Sequence, residues 1–154
     1  MSSKKPEETA VTVREAETAD LDGVLALYAL LGSGLADDHE TSERIWKEII
    51  AADDYHIVVL ECNGMIISTC ACTVIRNLTH GARPYAFVEN VVTHPEARGR
   101  GYGTMCLEKA REIAMDNNCY KIMLMTGSKK ESTLNFYRKA GFNSEDKTAF
   151  VQWL

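Results

Sequence analysis

The chain has 154 residues, 45% apolar and 25% charged, ordinary values for a globular fold with one core. Its net charge of −5 argues against nucleic acid as a partner, because phosphate-backbone binders present a basic surface. No apolar run approaches the roughly 20 residues needed to span a bilayer, so no membrane partner is expected, and the polar start reads as a disordered lead-in (1–10) to a single domain, 11–154.

"VTVREA" (11–16) alternates as a first strand. In the next segment Thr18 and Asp20 are cap candidates, and Leu21, Val24, Leu25, Tyr28 and Leu31 recur at helical spacing before Gly32. A loop leads to a second helix, with Ser42 as its cap and Ile45, Trp46, Ile49 and Ile50 as its apolar face. Asn63-Gly64 then separates two β-rich runs and suits a type I′ hairpin turn. A strand over "YAFVENVVT", a glycine-rich stretch, a helix with Cys106, Ala110, Ile113 and Ala114 on one side and a strand over "CYKIMLMT" follow. "KESTLNFYRKAG" reads as a helix closed by Gly141, and "AFVQWL" as a short last strand. The order β-α-α-β-β-β-α-β-α-β implies a mixed sheet with helices on its faces.

The five cysteines, Cys62, Cys70, Cys72, Cys106 and Cys119, lack zinc spacing, so no metal is expected. They read as small buried residues in a reducing cytoplasm, with Cys70 and Cys72 on one face of a strand.

"HPEARGRGYGT" (94–104) places three glycines and two arginines between a strand and a helix. A helix start exposes unpaired N–H groups and partial positive charge, and glycines let a ligand approach the backbone. Together these favour an anion, most often phosphate, although a glycine-rich turn with solvated arginines would look the same. No lysine stands where a P-loop needs it, and the spacing is GxGxG rather than GxGxxG. What does fit is R-x-x-G-x-G directly after a strand.

"VVTHPEARGRGYGTMCLEKA", followed after one helix and one strand by "LNFYRKAGF", resembles the two landmarks of the GNAT N-acetyltransferases. The element order resembles that family over roughly 11–154, and "FVENVV" and "CYKIML" are most similar to its glucosamine-6-phosphate N-acetyltransferase branch. The resemblance implies an α/β (α+β) GNAT fold: a mixed, mostly antiparallel sheet of six to seven strands flanked by about four helices, with strands diverging at the acetyl-CoA site. It implies acetyl-CoA as co-substrate, with backbone contacts at Val91, Val92 and Thr93. It sets the pyrophosphate at Arg98, Gly99, Arg100, Gly101, Tyr102, Gly103 and Thr104.

Acetyl transfer to an amine requires that the amine lose a proton, that an oxyanion be stabilised and that the leaving thiolate be protonated. By resemblance Tyr137 is the acid; a phenol with a pKa of about 10 holds its proton at neutral pH, though it could also simply pack its helix on the sheet. Glu89 interrupts an apolar strand next to the diverging region and is the candidate base, directly or through water, in an expected half-buried place that would raise its pKa; the alternative reading is an exposed or strand-edge acid. Asn90 would then orient substrate or pair with backbone. Many members carry an asparagine seven residues before the tyrosine; here that position is Lys130, and Lys129 and Lys130 read as solvated surface, the alternative being that one of them reaches a CoA phosphate. The acceptor would lie between 30–41 and 76–85, where Asp37, Asp38 and Glu40 suit a cationic amine and Arg76 and Arg83 suit an acidic group. These features point to N-acetylation of a small-molecule amine (amino sugar, amino acid or polyamine type). The alternatives are a protein or peptide N-acetyltransferase and a non-catalytic acyl-CoA-binding module. Dimers are common in the family, and "AFVQWL" offers a strand for pairing across a homodimer interface.

Overall fold

The computed structural model describes residues 10–154, so the expected lead-in lies outside it except for Ala10. The elements are β1 (Val11–Glu15), α1 (Leu21–Tyr28), α2 (His39–Ala51), β2 (Tyr55–Cys62), β3 (Met65–Ile75), β4 (Tyr85–Thr93), α3 (Tyr102–Asp116), β5 (Ile122–Leu124) and α4 (Glu131–Lys139). The sheet runs β1-β2-β3-β4-β5. The first four strands pair antiparallel and β5 runs parallel to β4. The mixed, mostly antiparallel α+β class is as expected.

The β2–β3 hairpin turns where the sequence places it. Asn63 (φ 50°) and Gly64 (φ 80°) supply the two left-handed residues of a type I′ turn. Alternation along the strands then builds two layers. Val58, Leu60, Cys70, Cys72, Ala86 and Val88 meet Cys106, Leu107, Ala110, Ile113 and Ala114 of α3. On the opposite face Ile57, Val59 and Ala71 meet Leu21, Val24 and Trp46 of α1 and α2. Cys70 and Cys72 do share a face, and all five cysteines are free thiols.

Three local expectations are corrected. Asp38, not Ser42, caps α2: its carboxylate accepts the Thr41 N–H at 2.6 Å, which starts the helix a turn earlier. Ile45 is 40% exposed, because the apolar stripe of α2 centres on Trp46, whose indole N–H donates to the Thr18 carbonyl at 3.1 Å. Residues 149–154 form no strand, and Phe150 and Trp153 are each 91% exposed. The sheet therefore has five strands among the described residues rather than six or seven. A three-residue β5 offers little edge for a further strand of the same chain.

Asp20 turns back rather than capping α1. It takes a forked bond from Arg14 (2.6 and 3.0 Å) and the Glu17 N–H at 2.7 Å, tying the end of β1 to the start of α1. The Arg14 guanidinium holds the Asp20 carboxyl below its ordinary 3.8. A depressed carboxylate contributes stability above its unfolded pKa, which is lost as pH falls through the folded value. Asp20→Asn is expected to cost about 1–3 kcal/mol in urea denaturation at pH 7, and the gap to wild type is expected to narrow below about pH 4.

Candidate active site

The site forms where β4 changes partners. β5 pairs only with its first half, Ala86↔Ile122 through Val88↔Leu124. From Glu89 onward that edge of β4 faces a gap, while the other edge stays on β3. There the register steps from Ala71↔Glu89 to Thr69↔Val92, so Cys70 alone faces both Asn90 and Val91. This β-bulge takes Asn90 to φ 52°, a left-handed conformation asparagine tolerates better than most side chains. The bulge frees the Asn90–Val91 backbone from the β3 ladder beside the opening.

Beyond β4 the chain is pinned before it reaches α3. The His94 N–H donates to the Ile67 carbonyl at 2.8 Å, and Arg98 Nε donates to the Thr93 carbonyl at 3.1 Å. Gly99 (φ 76°) and Gly101 (φ 82°) turn the backbone into the helix. The Gly101 carbonyl accepts the Met105 N–H at 3.0 Å, which leaves the N–H groups of Tyr102, Gly103 and Thr104 without helical partners. The first turn of α3 carries no acidic side chain, so its positive end is uncompensated. Arg100 is exposed beside it, and Tyr102 and Thr104 are half-buried.

The third glycine has a different task. Gly103 is buried, and a Cβ there would stand 3.1 Å from Phe136 Cζ and 3.2 Å from Thr93 Oγ1. Its bare Cα lets the start of α3 settle on both the end of β4 and α4.

α4 delivers Tyr137. Its ring tilts against Phe136 at 4.9 Å and meets Phe142 edge-on at 6.3 Å. Gly141 (φ 91°) closes the helix, and the Phe142 N–H donates back to the Tyr137 carbonyl at 3.1 Å. Burial, then Cys70 and Glu89, push the phenol above its ordinary 10, so it is protonated at neutral pH. Lys130 sits at the N-terminal cap position of α4, where its own N–H bonds the Ser128 hydroxyl at 3.3 Å and its side chain is exposed, as is Lys129.

Glu89 is exposed, not half-buried. Pairing with β5 ends at the residue before it, so its side chain stands at the mouth of the gap on the α1/α2 side. Burial raises the Tyr55 phenol above its ordinary 10, and Glu89 adds to that shift as it does at Tyr137, which groups all three around the bulge. Sequence reasoning missed Tyr55 and took Tyr28 only as an apolar helix position. The Tyr28 hydroxyl is buried beside the Asn90 side chain.

The charged acceptor candidates divide. Asp38 is engaged as the α2 cap, Arg76 pairs with Asp54 at 3.3 Å, and Arg83 donates to the Asn118 and Cys119 carbonyls at 3.1 and 3.0 Å. Asp37 and Glu40 are exposed.

Residues 22–142 match the sequence model described as the acetyltransferase (GNAT) family. An uncharacterized N-acetyltransferase of Methanocaldococcus jannaschii is 29% identical over 150 residues, covering 93% of this chain and 64% of that protein. The chain thus spans less than two thirds of that relative's length. A probable glucosamine 6-phosphate N-acetyltransferase of Oryza sativa is 28% identical over 141 residues, covering 86% of this chain and 82% of the relative. Among solved structures, a putative acetyltransferase from Agrobacterium tumefaciens superposes with a TM-score of 0.85 at 36% identity, covering 92% of this chain and 99% of that one.

Gly103→Ala is expected to destabilise the fold by about 1–3 kcal/mol through overpacking against Thr93 and Phe136. At Gly99 a Cβ meets nothing within 4 Å, so Gly99→Ala carries only the left-handed strain, about 1–2 kcal/mol. Urea midpoints of the two variants, with crystal structures locating any shift of Phe136, check both.

Proposed function

The chain belongs to the GNAT acetyltransferase family, and from that premise we propose that it moves the acetyl group of acetyl-CoA directly to the primary amine of a small molecule. The observation that carries this reading is the alignment of three parts. A half-unpaired, bulged β4 runs into an R-x-x-G-x-G turn, and the turn opens onto the uncompensated start of α3.

In this reading the pantetheine arm lies in the gap along Val91, Val92 and Thr93. The pyrophosphate rests on the free N–H groups of 102–104, with Gly99 and Gly101 keeping side chains out of its way. Arg100 adds a free guanidinium, and Arg98 retains its terminal nitrogens while its Nε braces Thr93.

Glu89 takes the proton of the acceptor amine, directly or through a water. The nitrogen attacks the thioester carbon, and the carbonyl electrons move onto oxygen. The freed backbone at Asn90–Val91 supplies N–H donors to that oxyanion. As the C–S bond breaks, the thiolate takes the Tyr137 proton. The electrostatic influence of Glu89 on Tyr137 supports both groups addressing one reaction.

The acceptor side favours a cationic amine of the amino acid or polyamine type over a phosphorylated amino sugar. Among residues 30–41, Asp38 is engaged as the α2 cap, Asp37 and Glu40 are exposed, and there is no lysine or arginine. The two arginines that would suit a phosphate are already engaged. The free cysteines suit a cytoplasmic setting. A homodimer is supported by the exposed apolar tail, Phe150, Val151, Trp153 and Leu154.

Acetyl-CoA binding by calorimetry and CoA-thiol release over a panel of amines test the reading; no binding would refute it. Tyr137→Phe is expected to lower kcat by about 100-fold or more with acetyl-CoA affinity retained, and unchanged turnover would remove Tyr137 from the mechanism. Sedimentation equilibrium is expected to give a dimer that reverts to monomer when residues 149–154 are deleted, whereas a monomeric full-length chain rejects that interface.

A further inference from the structure

Tyr28 stands beside the bulge, and the mechanism above leaves it idle. It ends α1, and the 3-10 turn that follows it, Ala29–Leu31, lies against β4. It packs against the cluster of Leu21, Val24, Trp46, Ile57, Val59 and Ala71, where the helix layer meets the sheet. The hydroxyl is shut off from solvent and no hydrogen bond closes on it. The neighbouring polar side chain is the carboxamide of Asn90, with Tyr55 and the Cys70 thiol also close enough to act on the phenol.

A buried hydroxyl without a partner needs a reason. Asn90 poses the matching question. It holds φ 52° at the bulge and has no partner in the β3 register. A side chain in a strained backbone state persists when its surroundings fix it. The two oddities meet at one point, one from α1 and one from β4.

We propose that Tyr28 is a positioning residue for acetyl transfer: its hydroxyl anchors the Asn90 carboxamide and so fixes the bulged Asn90–Val91 backbone in the gap between β4 and β5. The proposal rests on the reading that this gap holds the thioester. The bond closes by a small rotation of the carboxamide when the gap is filled. The effect falls on the chemical step, because a displaced bulge leaves the pyrophosphate cradle at 98–104 untouched. α1 thereby becomes part of the reaction geometry rather than a cover for the sheet.

The test is a double-mutant cycle with Tyr28→Phe and Asn90→Gly, read as steady-state kinetics with the acceptor amine the wild type turns over best. Glycine accepts the left-handed conformation without an anchor. Tyr28→Phe is expected to lower kcat about tenfold while KM for acetyl-CoA stays within about twofold, since an interaction used only in the transition state leaves ground-state binding alone. The double variant is expected to be no slower than the slower single variant. A Tyr28→Phe kcat within twofold of wild type overturns the proposal, as do two losses that simply multiply. If Tyr28→Phe fails to fold, a crystal structure of the wild type with acetyl-CoA decides: a Tyr28 Oη–Asn90 carboxamide hydrogen bond supports the anchor, and a separation beyond about 3.5 Å overturns it. A wild type that binds no acetyl-CoA overturns the acetyl-transfer reading and this proposal together, whereas an active wild type with a silent Tyr28→Phe overturns the proposal alone.

Discussion

Ala86 to Val88 of β4 are paired on both edges, and the residues after them on one edge at most. β5 holds Ala86 to Val88 and then stops, while β3 continues to Thr93 across a one-residue bulge. A strand losing one neighbour in mid-length exposes backbone donors that the rest of the sheet has consumed. The remaining architecture holds that partial edge open and rigid. α3 covers one face, with Phe136 and Tyr137 of α4 packed into the same layer, and α1 and α2 cover the other.

Rigidity at the opening comes from several short tethers. The His94 N–H bonds Ile67, Arg98 braces the Thr93 carbonyl, and Gly103 lets α3 seat directly against Thr93 and Phe136. At the far end of α3 Arg83 grips the carbonyls of Asn118 and Cys119. Loops flanking both ends of β4 thus hold both ends of the crossover helix. The proposed anion site, built from backbone N–H groups, requires that those groups need not reorganise when charge arrives, and this framing suits that requirement.

The parts legible in the sequence are those governed by a local rule. Asn63-Gly64 announces its turn because few other pairs accept two left-handed residues. The turn before α3 announces itself through glycine spacing and two arginines. Features set by distant partners were not legible. Arg83 finds its carbonyls 35 residues away, and nothing near it in sequence says that its charge is spoken for. The choice of Asp38 over Ser42 as a cap depends on which residue takes extended backbone angles. Alternation in the last six residues resembles a strand, but a strand needs an edge, and β5 gives three residues of one. Helical period placed Tyr28 on its apolar face correctly and could not say what its hydroxyl meets. Glu89 stood out as an acid in an apolar strand, yet its exposure follows from where β5 ends.

The buried thiols have a consequence for a protein assigned to this chemistry. Cys70, Cys72 and Cys106 lie in the layer under α3, where burial pushes the Cys72 thiol up to about 12, that of Cys106 to about 11 and that of Cys70 well above its ordinary value. Thiolate is the species that exchanges with disulfides, and at neutral pH these three supply almost none. In the proposed reaction, whose by-product is itself a free thiol, the core thereby stays out of redox equilibrium with what is released. Accumulating oxidised by-product would find mixed-disulfide partners only at the half-buried Cys62 and Cys119, near the rim of the fold.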